Sequence, residues 1–219
     1  MRKAVFFDLD GTLTESGEGI TKSVQYALAK LGIDEPDLDK LKVFVGPPLI
    51  ESFMKYYGFT REKAEEAVVL YREYFREKGI FENALYPGIG KMLEELKKKG
   101  LILAVSSSKP EPFVRQIMDY FDIGNYFDEI TGSTMDEKRT AKKDVIEETL
   151  RRLGLLERRS EVLMVGDKEH DVLGARQASL DCVAVLYGYG TLEELENAKP
   201  AALVRTVEEL TALLLGSAG

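Results

Sequence analysis

One cysteine, Cys182, and one histidine, His170, are all that the 219 residues hold of either kind. A single thiol closes no internal disulfide, and no Cys/His set for zinc can be assembled, so any bound metal sits on oxygen ligands. Also missing is an apolar run near the roughly 18 residues needed to cross a bilayer. The start, Met1-Arg2-Lys3-Ala4-Val5-Phe6-Phe7-Asp8, has neither the apolar stretch nor the cleavage site of a signal peptide. Basic residues are in deficit, 30 Lys and Arg against 38 Asp and Glu for a net charge of −8, which argues against a nucleic-acid polymer as partner. These absences predict a cytoplasmic protein with no membrane partner. They leave room for a small phosphorylated ligand held by a few local cations. What is present is ordinary for a globular chain, 44% hydrophobic and 31% charged, and long enough for one α/β domain with an inserted subdomain.

Ala4 to Phe7 is apolar without alternation and stops at Asp8. Such a run fits a parallel strand covered by helices on both faces. Residues 101–105, 162–165, 183–186 and 202–204 read the same way. Amphipathic stretches separate them. Ile89, Met92, Leu93 and Leu96 share one face, ended by Lys97-Lys98-Lys99-Gly100; Val145, Ile146, Thr149, Leu150 and Leu153 share another, ended by Gly154. Strand–helix alternation from Leu85 onward predicts an α/β fold, a doubly wound, Rossmann-like parallel sheet. From Leu13 to Leu85 the pattern is helical instead. Val24, Ala27, Leu28 and Leu31 form one face, Ile50, Phe53, Met54 and Tyr57 a second, and Ala64, Ala67, Val68, Tyr71 and Phe75 a third. The predicted division is a core of residues 1–14 and 86–219, with a helical cap of residues 15–85 inserted after the first strand.

Asp8-Leu9-Asp10-Gly11-Thr12 follows the first strand directly. In open α/β sheets ligands bind outside the carboxyl ends of strands, so two carboxylates two residues apart there can share a metal or a substrate. Gly11 permits the tight turn that brings both to the crevice. Residues 162–165 run into Gly166-Asp167, with Asp171 four residues on, a second acidic pair at a strand end. Asp167 and Asp171 could instead cap the helix that starts nearby. Grouped carboxylates repel and need a cation, and an all-oxygen set points to Mg²⁺. Ser106-Ser107-Ser108-Lys109-Pro110 closes the second core strand; it could hold phosphoryl oxygens or form a plain Ser-rich turn stopped by Pro. Lys142 and Lys143 open the helix that carries Val145 and Ile146.

The order of these pieces resembles the haloacid dehalogenase superfamily of Mg²⁺-dependent phosphohydrolases over essentially the whole chain. The helical cap and Tyr86-Pro87-Gly88 look like its phosphoglycolate phosphatase-like branch, and residues 45–53 resemble members that are phosphoglycolate phosphatases or 5′-nucleotidases. The resemblance implies Asp8 as nucleophile, Asp10 as general acid/base, Ser107 as the hydroxyl of the second motif and Lys142 as the lysine of the third. It implies Mg²⁺ held among Asp8, Asp10, Asp167 and Asp171, the last two in the Gly-Asp-x-x-x-Asp pattern. Gly11, Thr12, Ser108 and, in the cap, Gly46 are the implied substrate-binding positions. Thr14–Ser16 and Asn83–Tyr86 would be the cap's hinges, and Gly46-Pro47-Pro48 either a stiff loop toward the leaving group or a plain interhelical turn.

The implied activity is hydrolysis of a small phosphorylated metabolite through an aspartyl-phosphate, phosphoglycolate phosphatase-like or 5′-nucleotidase-like, by a monomer or homodimer. A phosphomutase of the β-phosphoglucomutase type shares fold, cap and intermediate, and is the alternative along with a non-enzymatic phosphate- or metal-binding protein. A dehalogenase would not need Asp10, and a response-regulator receiver has no helical insert at this place. With Asp10 filling the acid/base position, His170 reads as a residue behind the site or on the surface, and Cys182 as a small core residue. Lys97-Lys98-Lys99 reads as a solvated helix end, and residues 62–66 as exposed helix surface.

Overall fold

The computed structural model describes residues 2–136 and 138–217. In chain order the elements are β1 (Ala4–Phe7), β2 (Thr14–Glu15), α1 (Gly17–Lys30), α2 (Leu49–Tyr57), α3 (Arg61–Tyr74), β3 (Ala84–Leu85), α4 (Ile89–Lys98), β4 (Ile102–Pro110) and α5 (Glu111–Tyr120). There follow β5 (Glu129–Ser133), α6 (Lys142–Arg152), β6 (Val162–Gly166), α7 (Glu169–Gln177), β7 (Asp181–Val185), α8 (Leu192–Ala198), β8 (Ala202–Val204) and α9 (Val207–Ser217). Two compact units divide the chain, one of Met1–Thr14 with Leu85–Gly219, the other of Glu15–Ala84. The chain leaves the first unit through β2 and returns through β3, and these two short strands pair.

The first unit is a parallel six-stranded sheet in the order β5-β4-β1-β6-β7-β8 with helices on both sides. β1 lies between β4 and β6, and every residue of it is buried, which is why its sequence shows no polar face. Ala4 and Phe6 join Ala104, Met164, Cys182 and Ala184 in one cluster with Ile146 and Leu150 of α6, Val172 and Ala175 of α7, and Leu195 of α8. Val5 and Phe7 alternate to the opposite face. Each large apolar side chain so buried stabilises the fold by about 1.5–3 kcal/mol. The winding reverses at β1, whose neighbours β4 and β6 lead to opposite sheet edges, and that reversal opens a crevice at the carboxyl ends of these strands.

The second core strand does not stop at 105: β4 runs to Pro110, with its pairing to β5 irregular between Ser106 and Pro110. β5 itself is an element the sequence pattern does not predict. Lys98 and Lys99 are exposed, while the half-buried Lys97 gives its ammonium to both oxygens of Asp128 at 2.9 and 2.8 Å, and Asp128 accepts the Leu103 amide at 2.8 Å. That bridge ties the end of α4 to the start of β4.

In the second unit, α1 comes so near the segment after α3 that a Cβ on Gly19 would fall 1.9 Å from the Gly79 carbonyl. Phe44, from the 3₁₀ turn Leu38–Phe44, packs its ring 4.9 Å from that of Phe53, which stacks on Phe59 at 5.8 Å. Phe44, Phe53, Phe59, Tyr71 and Phe75 are buried, Tyr56 and Phe81 are exposed, and so are Glu62, Glu65 and Glu66. Met54, which the helical spacing places on the buried face of α2, is 41% exposed, because Ile50, Ser52 and Phe53 already supply that short helix's contact. Among the described residues no helix is long and apolar enough to cross a membrane.

Candidate active site

Asp8 follows β1 on the side of the sheet toward which Ala4 and Phe6 point. α6 begins on that side, and the ammonium of its first residue, Lys142, lies 2.7 Å from Asp8 Oδ1 and 2.8 Å from Asp171 Oδ1. The same ammonium donates to the Ser106 carbonyl at 3.1 Å. Gly174 of α7 leaves the space this requires, since a Cβ there would meet the Lys142 stem at 2.7 Å. Asp171, third in α7, accepts the Lys168 amide on Oδ2 at 3.0 Å. It therefore caps its helix and faces the lysine at once. Lys143 is exposed.

Asp167 joins from the end of β6. The Tyr189 amide donates to its Oδ2 at 2.7 Å and the Thr12 hydroxyl to its Oδ1 at 3.5 Å. One oxygen each of Asp8, Asp167 and Asp171 lies within 4.8 Å of the others, and all three residues are buried. Burial raises the Asp8 carboxyl to about 6, with Lys142 pulling it back and Asp171 pushing it further up. Burial, then Asp171 and Asp8, push Asp167 well above the usual carboxylate range. For Lys142 burial works the other way, but Asp171 and Asp8 outweigh it and hold the ammonium above its ordinary value. Carboxylates outnumber the ammonium three to one, and all three are buried with one oxygen each turned to a common point. An oxygen-only set with this excess of negative charge fits a divalent cation.

Asp10 stands apart from that cluster. Its Oδ2 is 2.9 Å from the ammonium of Lys109, with only 7–8% of either side chain exposed. Sequence reasoning names Lys109 inside its motif but gives it no task. The signal lies in the parallel register of β1 on β4, Phe7 beside Val105, which brings the residues after β1 and the last residues of β4 to one edge of the crevice. Ser107 is buried and its Oγ accepts the Lys109 amide at 3.3 Å, so its own proton is available to a ligand; Ser108 is half-buried.

Two expected substrate-binding positions face inward instead. Gly11, at φ +79°, donates its amide to the Thr14 carbonyl at 2.7 Å, and a Cβ on it would lie 2.1 Å from Asp167 Oδ2. The tight turn points this amide back into the loop, and the Thr12 hydroxyl is committed to Asp167. Gly46 is a residue of the second unit, turning at φ +102° just before Pro47, Pro48 and α2. His170 is exposed; Cys182 is buried within β7, and burial pushes its thiol up. A residue group the sequence reading overlooks is Tyr187-Gly188-Tyr189-Gly190, whose Tyr189 amide binds Asp167.

The roles of the two neighbouring lysines separate in stability. Lys142→Met leaves two buried carboxylates, Asp8 and Asp171, without their cation and is expected to destabilise the metal-free protein by about 3–5 kcal/mol. Lys143→Met should stay within about 0.5 kcal/mol. Urea unfolding of both variants checks this, and equal losses would remove Lys142 from the cluster's electrostatics.

A family model described as haloacid dehalogenase-like hydrolase matches residues 5–185. The chain is 47% identical to a 5′-nucleotidase of Pseudomonas aeruginosa over 196 residues, 90% of this chain and 88% of that one. It is 39% identical to tyrosine-protein kinase PtkA of Mycobacterium tuberculosis, over 94% of this chain and 70% of that one. A phosphoglycolate phosphatase of Aquifex aeolicus is 31% identical over 94% and 97%. The crystal structure of a predicted phosphatase from Clostridium acetobutylicum superposes with a TM-score of 0.96 at 46% identity, covering 99% of both chains.

Proposed function

The chain belongs to the haloacid dehalogenase-like hydrolase family and is a phosphatase, and from that premise we propose that it hydrolyses small phosphomonoesters through an aspartyl-phosphate on Asp8. The observation that carries the proposal is the separation of two carboxylates only two residues apart. Asp8 lies with Lys142, Asp167 and Asp171, while Asp10 has its own buried partner in Lys109. Like groups in unlike surroundings can take unlike roles.

Asp8, Asp167, Asp171 and the main-chain carbonyl of Asp10 are the proposed holders of Mg²⁺, which when bound neutralises charge on the phosphoryl oxygens and aligns the attack. A carboxylate oxygen of Asp8 attacks phosphorus, the bond to the leaving oxygen breaks, and Asp10 delivers its proton to that oxygen. In the second half Asp10 takes a proton from a water, the water oxygen attacks phosphorus, and Asp8 is freed with inorganic phosphate. Lys142 offsets charge on Asp8 and on the transferring group, which the Ser107 hydroxyl and the Ser108 amide would hold. On the family resemblance, residues 15–84 are proposed as the cap that selects the leaving group, with Gly46-Pro47-Pro48 the first segment to alter.

The likeness to a 5′-nucleotidase puts nucleoside 5′-monophosphates first among substrates, with phosphoglycolate next. Phosphate release from a panel of both, together with sugar phosphates, tests the reading. At least one small monoester should yield inorganic phosphate and its alcohol in equal amounts. An isomerised sugar phosphate without free phosphate would identify a mutase, and silence across the panel would sink the proposal.

A further inference from the structure

We propose that Tyr187 is a positioning residue for Asp10: its hydroxyl holds the turn on which the Asp10 carboxylate stands, and so governs proton transfer without touching the substrate. The inference rests on reading Asp10 as the general acid. The turn after β1 is closed largely on itself. The Leu9 carbonyl takes the amides of Thr12, Leu13 and Thr14 at 3.2, 2.9 and 3.0 Å, and the Thr14 carbonyl takes that of Gly11. The carbonyl of Thr12 faces out of the turn, and the Tyr187 hydroxyl donates to it at 3.0 Å. Thr12 is fully buried, so loss of that donor leaves a carbonyl that water cannot readily satisfy.

The rest of the loop is moulded to the same place. A Cβ on Gly188 would fall 2.3 Å from the Gly11 carbonyl and 2.4 Å from the Asp167 Cβ, and one on Gly190 would fall 2.0 Å from the Asp167 carbonyl. Between them the Tyr189 amide holds Asp167 Oδ2 at 2.7 Å. Residues 187–190 thus form the seat for residues 11–12 and Asp167 together. The Tyr187 ring is braced independently of its hydroxyl. Tyr86 packs edge-on against it at 4.9 Å, and the Tyr86 amide donates to the Leu13 carbonyl at 3.2 Å, in the same turn. Removing the hydroxyl therefore leaves the ring in place and frees one peptide, two residues from Asp10. Proton transfer requires hydrogen-bond reach to the leaving oxygen, and a displacement near 1 Å can cost on the order of 10²-fold.

The test compares Tyr187→Phe and Asp10→Asn on two substrates, an alkyl phosphate whose leaving group needs a proton and p-nitrophenyl phosphate, whose leaving group needs one far less. The readout is the ratio of kcat/KM between the two esters, which does not depend on how much of a preparation is folded. Tyr187→Phe should lower kcat/KM for the alkyl ester about tenfold more than for the aryl ester. The double variant should be no slower on the aryl ester than Asp10→Asn alone. Equal losses on both esters, no loss, or additive effects in the double variant would overturn the role of Tyr187. If Asp10→Asn itself shows no leaving-group dependence, the acid assignment fails instead, and the two failures are thereby told apart.

Discussion

Asp8→Asn is expected to fold and to release phosphate at least about 10⁴-fold more slowly than the unaltered enzyme. The amide matches the carboxylate in size but has no anionic oxygen to attack phosphorus, so the covalent route is closed. Lys142 keeps Asp171 at 2.8 Å, and the fold around it is retained. The same variant makes a claim about stability that a mere loss of activity would not. Burial holds the Asp8 carboxyl at about 6, against 3.8 for a free one, so charging it in the native state costs on the order of 3 kcal/mol. The neutral amide avoids that cost. Metal-free Asp8→Asn should therefore melt above the unaltered protein at pH 7.5, with the advantage shrinking as the pH is lowered through 6 toward 4. Substantial turnover in this variant would remove Asp8 as nucleophile; a pH-independent difference in melting would remove the electrostatic argument.

The parts of this site that the sequence makes legible are those fixed by local pattern. An unbroken apolar run ending in Asp-x-Asp-Gly can be read because burial on both faces of β1 excludes polar residues until the strand ends. Gly166-Asp167 and Asp171 are legible for the same reason, since β6 is buried throughout. β5 is not legible. It is an edge strand, Glu-Ile-Thr-Gly-Ser, with Ile130 its one large apolar residue, and its hydrogen bonds to β4 rather than its composition make it a strand. The Asp10–Lys109 pair joins residues about a hundred positions apart through sheet register, which no linear spacing encodes. Gly11 carries a second lesson. Its type announces a tight turn, but only the φ angle and the Thr14 carbonyl decide that its amide faces inward. The glycines of residues 187–190 are there for close approach to Asp167, a requirement that exists only once β6 and β7 lie side by side.

Chelation is expected to abolish turnover by at least about 10³-fold, and added Mg²⁺ to restore it. Ca²⁺ should restore it poorly, because it takes six to eight oxygens at about 2.3–2.6 Å where Mg²⁺ takes six at about 2.0–2.1 Å, and Asp8 would be misplaced relative to phosphorus. A second readout needs no substrate. Asp8 and Asp167 have folded-state pKa values raised above those of free carboxyls, first by burial. Both groups bind protons in the native state that they have lost in the unfolded chain, Asp8 between about 4 and 6, so their contribution to the stability of the metal-free protein falls as pH rises through their folded-state values. Protons and a divalent cation compete for the same oxygens. Mg²⁺ at about a hundredfold over its dissociation constant should add roughly 2.7 kcal/mol at pH 7.5, and much less near pH 4.5, where protons already occupy the site. In Asp8→Asn the pH 7.5 gain should shrink, since one of the three clustered carboxylates is gone. Calorimetric melting with and without Mg²⁺ at the two pH values measures this directly. An equal gain at both would place the cation elsewhere than among Asp8, Asp167 and Asp171, and full activity in chelator would remove it from the reaction.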